Sequence, residues 1–296
     1  MKRQFTIIVL LFFIAGACVN DKKARDKTVE NKLEVELDTT NKVIKFENTL
    51  FSLPSPYELS LLIKDIGAEF NSELLNPSNN YQQYTNLFKK SLNLGVYGAD
   101  LAYLNIYQQS PSAITYFSVI KLLAQDLDLT AAFTPELLGR IENNIDNKDS
   151  LLYIMSNTYR DVDYFLKENQ RQREGTLVLA GGWIEGMYFL VNLAQQTKNK
   201  ELIQRVGENK QPLENLIKIL SPYYSESKDI SNLVDDLIDL AYEFDAIEKK
   251  YTYKEPTTKP ELRLTQIHSV SEIVIPDDVL TIIGEKIDKI RNKIIK

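Results

Sequence analysis

Apolar residues recur along most of the chain at the three- and four-residue spacing of an α-helix. The clearest apolar stripe lies within residues 228–249, and similar stripes are separated by short segments that contain proline, glycine or asparagine. They predict further helices over residues 57–75, 81–109, 110–127, 134–145, 149–168, 171–197, 200–206, 212–220 and 276–293. The pattern is typical of an all-α fold, an irregular multi-helix array of antiparallel helices, about nine to eleven in number.

Short non-helical segments interrupt this pattern. Residues 33–37 and 43–46 alternate in part between apolar and polar positions, which suits a short hairpin and does not exclude a helix. Residues 250–261 contain two prolines and are predicted to form a loop. Residues 272–275 suit a short strand before the last helix.

The chain divides into three regions by composition. Residues 1–17 are predicted to be a signal peptide, residues 18–53 a lipidated cysteine with a flexible tether, and residues 54–296 one α-helical domain. The first part of the tether, residues 19–31, mixes charges of both signs and has almost no apolar side chain. Such a segment cannot bury enough apolar surface to fold by itself.

The N-terminus carries an export signal. Two basic residues precede the apolar run Phe5–Ile14, which is too short to span a bilayer, and small residues and Cys18 follow it. Residues 14–18, IAGAC, resemble the lipobox of bacterial lipoproteins, with Ala15 where leucine is commoner. The resemblance implies cleavage before Cys18, acylation of its thiol and anchoring in a membrane. The alternative is a plain signal peptide that is cut after Ala17.

Residue 19 and the net charge bear on location and partners. Val19 follows the cysteine, where aspartate would favour the inner membrane, so we expect the outer membrane of the cell envelope; its periplasmic and external leaflets are both compatible. Loss of Lys2 and Arg3 with the signal peptide changes the formal net charge from −6 to −8. An acidic protein repels nucleic-acid phosphates, so nucleic acid is not an expected partner.

The counts of cysteine and histidine exclude several kinds of site. Cys18 is the only cysteine, so an intramolecular disulfide and a thiolate zinc site are excluded. His268 is the only histidine, which excludes a multi-histidine metal centre. We therefore expect neither a metal nor a cofactor, and no residue is predicted to be catalytic.

Small residues mark one face of each of two predicted helices. Gly175, Gly182 and Gly186 share a face of one helix, and Gly95 and Gly98 share a face of another. Each glycine costs about 1 kcal/mol in a helix interior relative to alanine, so something should offset that cost. Close packing of the two helices through these faces is the main interpretation. A ligand groove lined by backbone, or a kink, is the alternative.

Two carboxylates, Asp100 and Glu185, stand out within these same apolar helices. A buried carboxylate is unfavourable unless it is paired or hydrogen bonded. One interpretation is a pair of acid/base groups or a cation site, and the other is a pair of carboxylates that bond to tyrosine hydroxyls or reach solvent. These carboxylates and the aromatic residues near them in the sequence form a candidate pocket. Its residues are Tyr97, Asp100, Tyr103, Trp183, Glu185 and Tyr188.

The same segments carry a second resemblance. Residues 92–105, LNLGVYGADLAYLN, and residues 180–190, AGGWIEGMYFL, resemble the uncharacterised all-helical lipoproteins of Bacteroidota. The resemblance implies a cell-envelope location and no established activity.

Three hypotheses for function follow from the sequence. The first is an anchored, non-enzymatic lipoprotein whose helical domain binds an envelope protein or a small ligand. The second is an envelope hydrolase that uses Asp100 and Glu185. The third, based on location alone, is an accessory to nutrient uptake, similar to larger helical glycan-binding lipoproteins.

Overall fold

The helical periodicity of the sequence corresponds to nine α-helices within the residues that the computed structural model describes. Those residues are 43–46, 49–52, 56–131, 133–145, 147, 150, 153–154, 165 and 168–296. The all-α prediction is therefore confirmed. Cys18, the signal peptide, the first part of the predicted tether and most of the helix predicted over residues 149–168 lie outside the described residues.

Side chains at several helix starts satisfy free backbone amides. Asn86 accepts a hydrogen bond from the Lys89 amide at 2.8 Å, and Asn199 accepts one from the Glu201 amide at 2.8 Å.

The nine helices are α1 (Pro56–Asp65), α2 (Leu87–Ile106), α3 (Ser110–Asp126), α4 (Pro135–Asn143), α5 (Gln172–Thr197), α6 (Lys200–Glu208), α7 (Lys210–Leu220), α8 (Lys228–Glu243) and α9 (Asp277–Ile295).

Helix α5 lies at the centre of the core. It packs against α1, α2, α6, α7 and α9, and α2 in turn packs against α3. By length and composition α5 could cross a membrane, but 83% of its most apolar window is buried inside the domain. This burial is what a central core helix shows, and it explains why α5 is apolar on nearly every side.

Two helix boundaries predicted from periodicity are wrong. The first helix was expected over residues 57–75 but ends at Asp65, because Gly67 adopts a left-handed conformation with φ of 86° and reverses the chain. The second was expected to start at residue 81 but starts at Leu87, after the Asn86 cap. A 3-10 helix, Ser78–Gln83, precedes it.

A short antiparallel hairpin lies in the region that was assigned to the tether. Strand β1 (Val43–Phe46) pairs with β2 (Thr49–Ser52), and β2 packs against α7. The alternation at residues 43–46 therefore marks one strand of a hairpin, whose other strand is β2. Residues 33–37 lie outside the described residues.

A two-stranded ribbon covers residues 248–274, which we call the β-arm. Strand β3 (Glu248–Thr252) pairs with β6 (Val270–Val274), and β4 (Thr257–Lys259) pairs with β5 (Leu264–Gln266). The predictions of a helix up to residue 249 and of a loop over 250–261 are therefore wrong. Helix α8 ends at Glu243 despite the apolar spacing that continues to Ile247, and a 3-10 turn, Phe244–Ala246, follows it. Threonine and tyrosine, which favour extended backbone, begin at Tyr251 within β3.

Candidate functional site

Helices α2 and α5 are in backbone contact at two glycines. A Cβ atom added to Gly95 would lie 2.0 Å from the Val178 carbonyl oxygen and 2.6 Å from the Gly182 amide nitrogen. A Cβ atom added to Gly181 would lie 1.9 Å from the Leu92 carbonyl oxygen. No side chain fits at either position, so glycine is required for this close approach.

The structure thus brings together part of the predicted glycine set. Gly95 and Gly182 meet directly, whereas Gly181, which the spacing argument omitted, makes the second close contact. Gly98 and Gly186 are buried within the same two helices, and Gly175 is half-buried near the start of α5. The contact between the two helices places the two buried carboxylates, one on each helix, side by side.

Asp100, Glu185 and Arg291 form a buried cluster, which we call the acid–arginine cluster. Arg291 donates from Nε to Glu185 Oε2 and from a terminal nitrogen to Oε1, each at 2.7 Å. The same terminal nitrogen also donates to the Leu74 carbonyl at 2.8 Å. Both carboxyl side chains are 0% exposed, and Arg291 is 5% exposed. The cluster therefore joins α2, α5 and α9 out of contact with water.

Asp100 lies within hydrogen-bonding reach of the Glu185 carboxyl but has no well-aligned donor. The Asn76 amide approaches Asp100 and lowers its pKa slightly, yet neither Asp100 oxygen accepts a hydrogen bond of good geometry. An ionised Asp100 would then be a buried, unpaired charge beside a second carboxylate. A proton on Asp100 removes that charge and supplies an O–H group that donates to Glu185.

The pKa shifts agree with this assignment of the proton. Burial raises the pKa of Asp100 well above its ordinary range and the Glu185 charge raises it further, while Arg291 lowers it. Burial also raises the pKa of Glu185, and the charge and hydrogen bonds of Arg291 oppose that rise without reversing it. Burial lowers the pKa of Arg291, and the Glu185 carboxylate more than reverses this. The cluster is accordingly a protonated Asp100, an ionised Glu185 and a cationic Arg291, with no net charge.

Polar side chains around the cluster are hydrogen bonded to backbone carbonyls. The Tyr97 hydroxyl donates to the Pro77 carbonyl at 2.9 Å, and the Tyr116 hydroxyl donates to the Asn76 carbonyl at 2.8 Å. Asn93 donates to the Ile294 carbonyl at 3.0 Å, close to the end of α9. These bonds tie the side chains to carbonyls of an irregular segment and of a helix terminus, where fewer backbone partners are at hand.

The aromatic residues of the candidate pocket are mostly part of the packed core. Tyr97 and Tyr103 are 0% exposed and Trp183 is 2% exposed. The Tyr103 hydroxyl accepts from the Asn71 amide at 3.0 Å, and the Trp183 indole donates to Asn209 at 3.3 Å. Tyr188 is half-buried, and its ring centroid lies 4.0 Å from the Arg291 guanidinium carbon, a cation–π contact.

Arg291 is the residue of this site that the sequence argument missed. The periodicity does carry a signal for it, because Arg291 lies four residues after Ile287 and three before Ile294, on the apolar stripe of α9. A cation on an apolar stripe calls for a buried anion, and Glu185 and Asp100 were already conspicuous. What periodicity could not supply is the pairing, since Glu185 and Arg291 are 106 residues apart.

Other chemistry is not apparent in the part of the chain that the structure describes. Within it, no group of three or more histidine, cysteine, aspartate or glutamate residues could hold a metal ion. His268 lies on the β-arm, where its ring contacts the Thr257 hydroxyl at 2.9 Å. No known family model matches the chain, and comparisons with the curated proteins and with the solved structures find no match.

Proposed function

We propose that this chain is a lipid-anchored protein of the cell envelope whose helical domain acts by binding and not by catalysis. The observation that carries the second half of this proposal is the burial of the acid–arginine cluster. Both of its carboxyl groups are 0% exposed, and the ionised one is held by two hydrogen bonds from Arg291.

This geometry argues against a hydrolase that uses Asp100 and Glu185. A general acid or base must come within hydrogen-bonding distance of the substrate, directly or through one water molecule. Neither carboxyl group reaches the surface, and the Glu185 carboxylate already uses both oxygens to bind Arg291. The cluster is better explained as a structural connection between three helices.

The first half of the proposal depends on the export signal and Cys18. We propose that the thiol of Cys18 is acylated and holds the domain at the outer membrane, where an envelope protein or a small ligand is bound. We also propose kinship with the helical lipoproteins of Bacteroidota, which residues 92–105 and 180–190 resemble and which would imply the same location.

Metabolic labelling with palmitate tests the anchor. We expect label on the wild-type chain, recovery in the membrane fraction, and loss of both in a Cys18→Ser variant. A wild-type chain that is cleaved but unlabelled and soluble would refute the anchor. For the binding role, hydrolysis of envelope substrates that disappears in a correctly folded Glu185→Gln variant would refute the proposal and restore the enzyme hypothesis.

A further inference from the structure

The β-arm exposes large apolar side chains on nearly every strand. Tyr251, Tyr253, Leu264, Ile267 and Val270 are between 51% and 75% exposed. All residues of β3, β4 and β5 are exposed, so the ribbon is covered on neither face over most of its length. Exposed apolar side chains that are concentrated in one small element mark a surface that another molecule covers.

The charge of the β-arm sets it apart from the rest of the chain. Residues 248–274 contain five lysine or arginine residues and four glutamates, a net charge of +1 in a chain of net charge −6. The strongly acidic parts of the protein are repelled by anionic lipid headgroups, whereas the β-arm is not. Its tyrosines and long basic side chains are also the types that suit a membrane–water interface, since each has an apolar body and a polar end.

The base of the β-arm contacts a helix that neighbours the one contacted by β2. Strand β2 packs against α7, strand β6 packs against α6, and α6 and α7 contact each other. At the base, the Ile273 side chain lies against Gly207 of α6. Val43, the first described residue, pairs with Ser52 of β2, so it and the root of the arm belong to strands that contact consecutive helices.

The length of the tether is compatible with contact between the arm and the bilayer. Twenty-five peptide bonds join Cys18 to Val43, and the flexible tether that the composition predicts would have a root-mean-square span of about 28 Å. A lipid at Cys18 would thus keep β2, and the helices that β2 and the root of the arm contact, within reach of the membrane surface.

We infer that the β-arm is a second membrane contact, whose tyrosine and aliphatic side chains enter the headgroup region of the bilayer that holds Cys18. This inference rests on the proposed lipid anchor. The tyrosine hydroxyls and lysine ammonium groups stay at the level of the headgroups, while the rings and the Ile267 side chain lie below them. The acylated Cys18 and the β-arm together fix the orientation of the domain relative to the membrane. The lipid anchor alone does not fix it.

A tryptophan reporter on the arm tests this placement. The natural Trp183 is 2% exposed, so it gives a nearly constant background. We compare Ile267→Trp on the arm with Ile114→Trp on α3, a matched isoleucine that is 55% exposed. Both acylated proteins are reconstituted into vesicles of phosphatidylethanolamine and phosphatidylglycerol that contain brominated lipid. We expect quenching and a blue shift of the introduced tryptophan for Ile267→Trp, at least threefold stronger than for Ile114→Trp.

A second measurement separates the arm from the anchor. In a Cys18→Ser background, sedimentation with excess vesicles of the same composition measures residual binding, and we compare Ile267→Ser with Ile114→Ser. Removal of one isoleucine that is buried in the interface should weaken binding by about tenfold, and Ile114→Ser should leave it unchanged. Mass spectrometry of Cys18 in the wild-type chain reports the anchor independently.

The outcomes are distinct. An unacylated Cys18 together with arm-dependent vesicle binding refutes the anchor and keeps the arm contact. An acylated Cys18 with equal quenching of the two reporters, or equal vesicle binding of the two serine variants, overturns the arm contact and keeps the anchor. Stable association of the arm with a purified envelope protein, lost in Ile267→Ser, without lipid quenching, overturns it in favour of a protein partner.

Discussion

The proton on Asp100 makes a prediction about stability that can be tested on the isolated protein. Asp100→Asn replaces a carboxylic acid by an amide of nearly the same shape. The amide nitrogen can donate to Glu185 as the acid O–H does, so the hydrogen bond and the packing around the acid–arginine cluster are kept. What changes is that asparagine has no proton to lose.

The magnitude follows from the difference between the folded and unfolded chains. In the unfolded chain Asp100 loses its proton above a pKa of about 3.9. In the folded protein it keeps the proton, because burial and the Glu185 charge raise its pKa. The protonated Asp100 side chain therefore makes its full contribution to the free energy of unfolding below about pH 3.9. Above that pH the contribution falls by about 1.4 kcal/mol per pH unit until the pH reaches the folded pKa. As the pH rises from 5, the free energy of unfolding of Asp100→Asn should therefore gain about 1.4 kcal/mol per pH unit over the wild type for as long as the folded wild type keeps the proton.

Urea unfolding followed by circular dichroism at pH 5, 6 and 7 measures this difference. The matched control is Asp126→Asn, which removes a charge from an exposed ion pair with Lys90. We expect the control to lie within about 1 kcal/mol of the wild type. If the difference between Asp100→Asn and the wild type is the same at pH 5 and pH 7, or if the variant becomes relatively less stable as the pH rises, Asp100 is ionised in the folded protein and the reasoning fails.

Two further predictions concern the connections of α2, α5 and α9. Arg291→Met should lower the free energy of unfolding by about 3–5 kcal/mol, because it leaves the Glu185 carboxylate buried without its cation. The control Lys293→Met, which breaks an exposed ion pair two residues away, should cost less than about 1 kcal/mol. If urea unfolding shows similar losses of stability for Arg291→Met and Lys293→Met, a structural role for Arg291 is contradicted. Gly95→Ala should cost about 3 kcal/mol or more, since the new Cβ atom meets backbone at 2.0 Å. The control Gly139→Ala lies on α4 with no atom within 4 Å of the new Cβ, so it should raise the melting temperature slightly. A Gly95→Ala variant as stable as this control would refute the backbone contact between α2 and α5.

The helical content and the choice of partner for α2 could be predicted because each depends on local pattern. Periodic apolar positions give helices whatever their neighbours are. Two helices that both carry glycine on one face can approach closely, so Gly95 and Gly182 indicate the contact between α2 and α5 from the sequence. The same argument could not select Gly181, because its contact with Leu92 depends on the crossing geometry of the two helices.

The β-arm shows where local pattern fails. Residues 244–247 continue the apolar spacing of α8, and the two prolines at 256 and 260 suggest a loop. Pairing of β3 with β6 joins residues up to 26 positions apart, and no periodicity within either segment reports it. The stronger signal is the density of threonine and tyrosine after residue 250, which favours extended backbone where helix-forming residues run out.

The acid–arginine cluster has a consequence for the arrangement of α9 that apolar packing alone does not provide. The apolar stripe of α9 repeats isoleucine at positions 283, 287, 290 and 294, so shifts of about one turn along α5 would still bury most of it. Arg291 can bind both oxygens of Glu185 and the Leu74 carbonyl only in one register. Any shifted register leaves a buried cation and a buried carboxylate unpaired, which costs several kcal/mol. The cluster therefore selects one position of the last helix against near alternatives, a role that accounts for its complete burial.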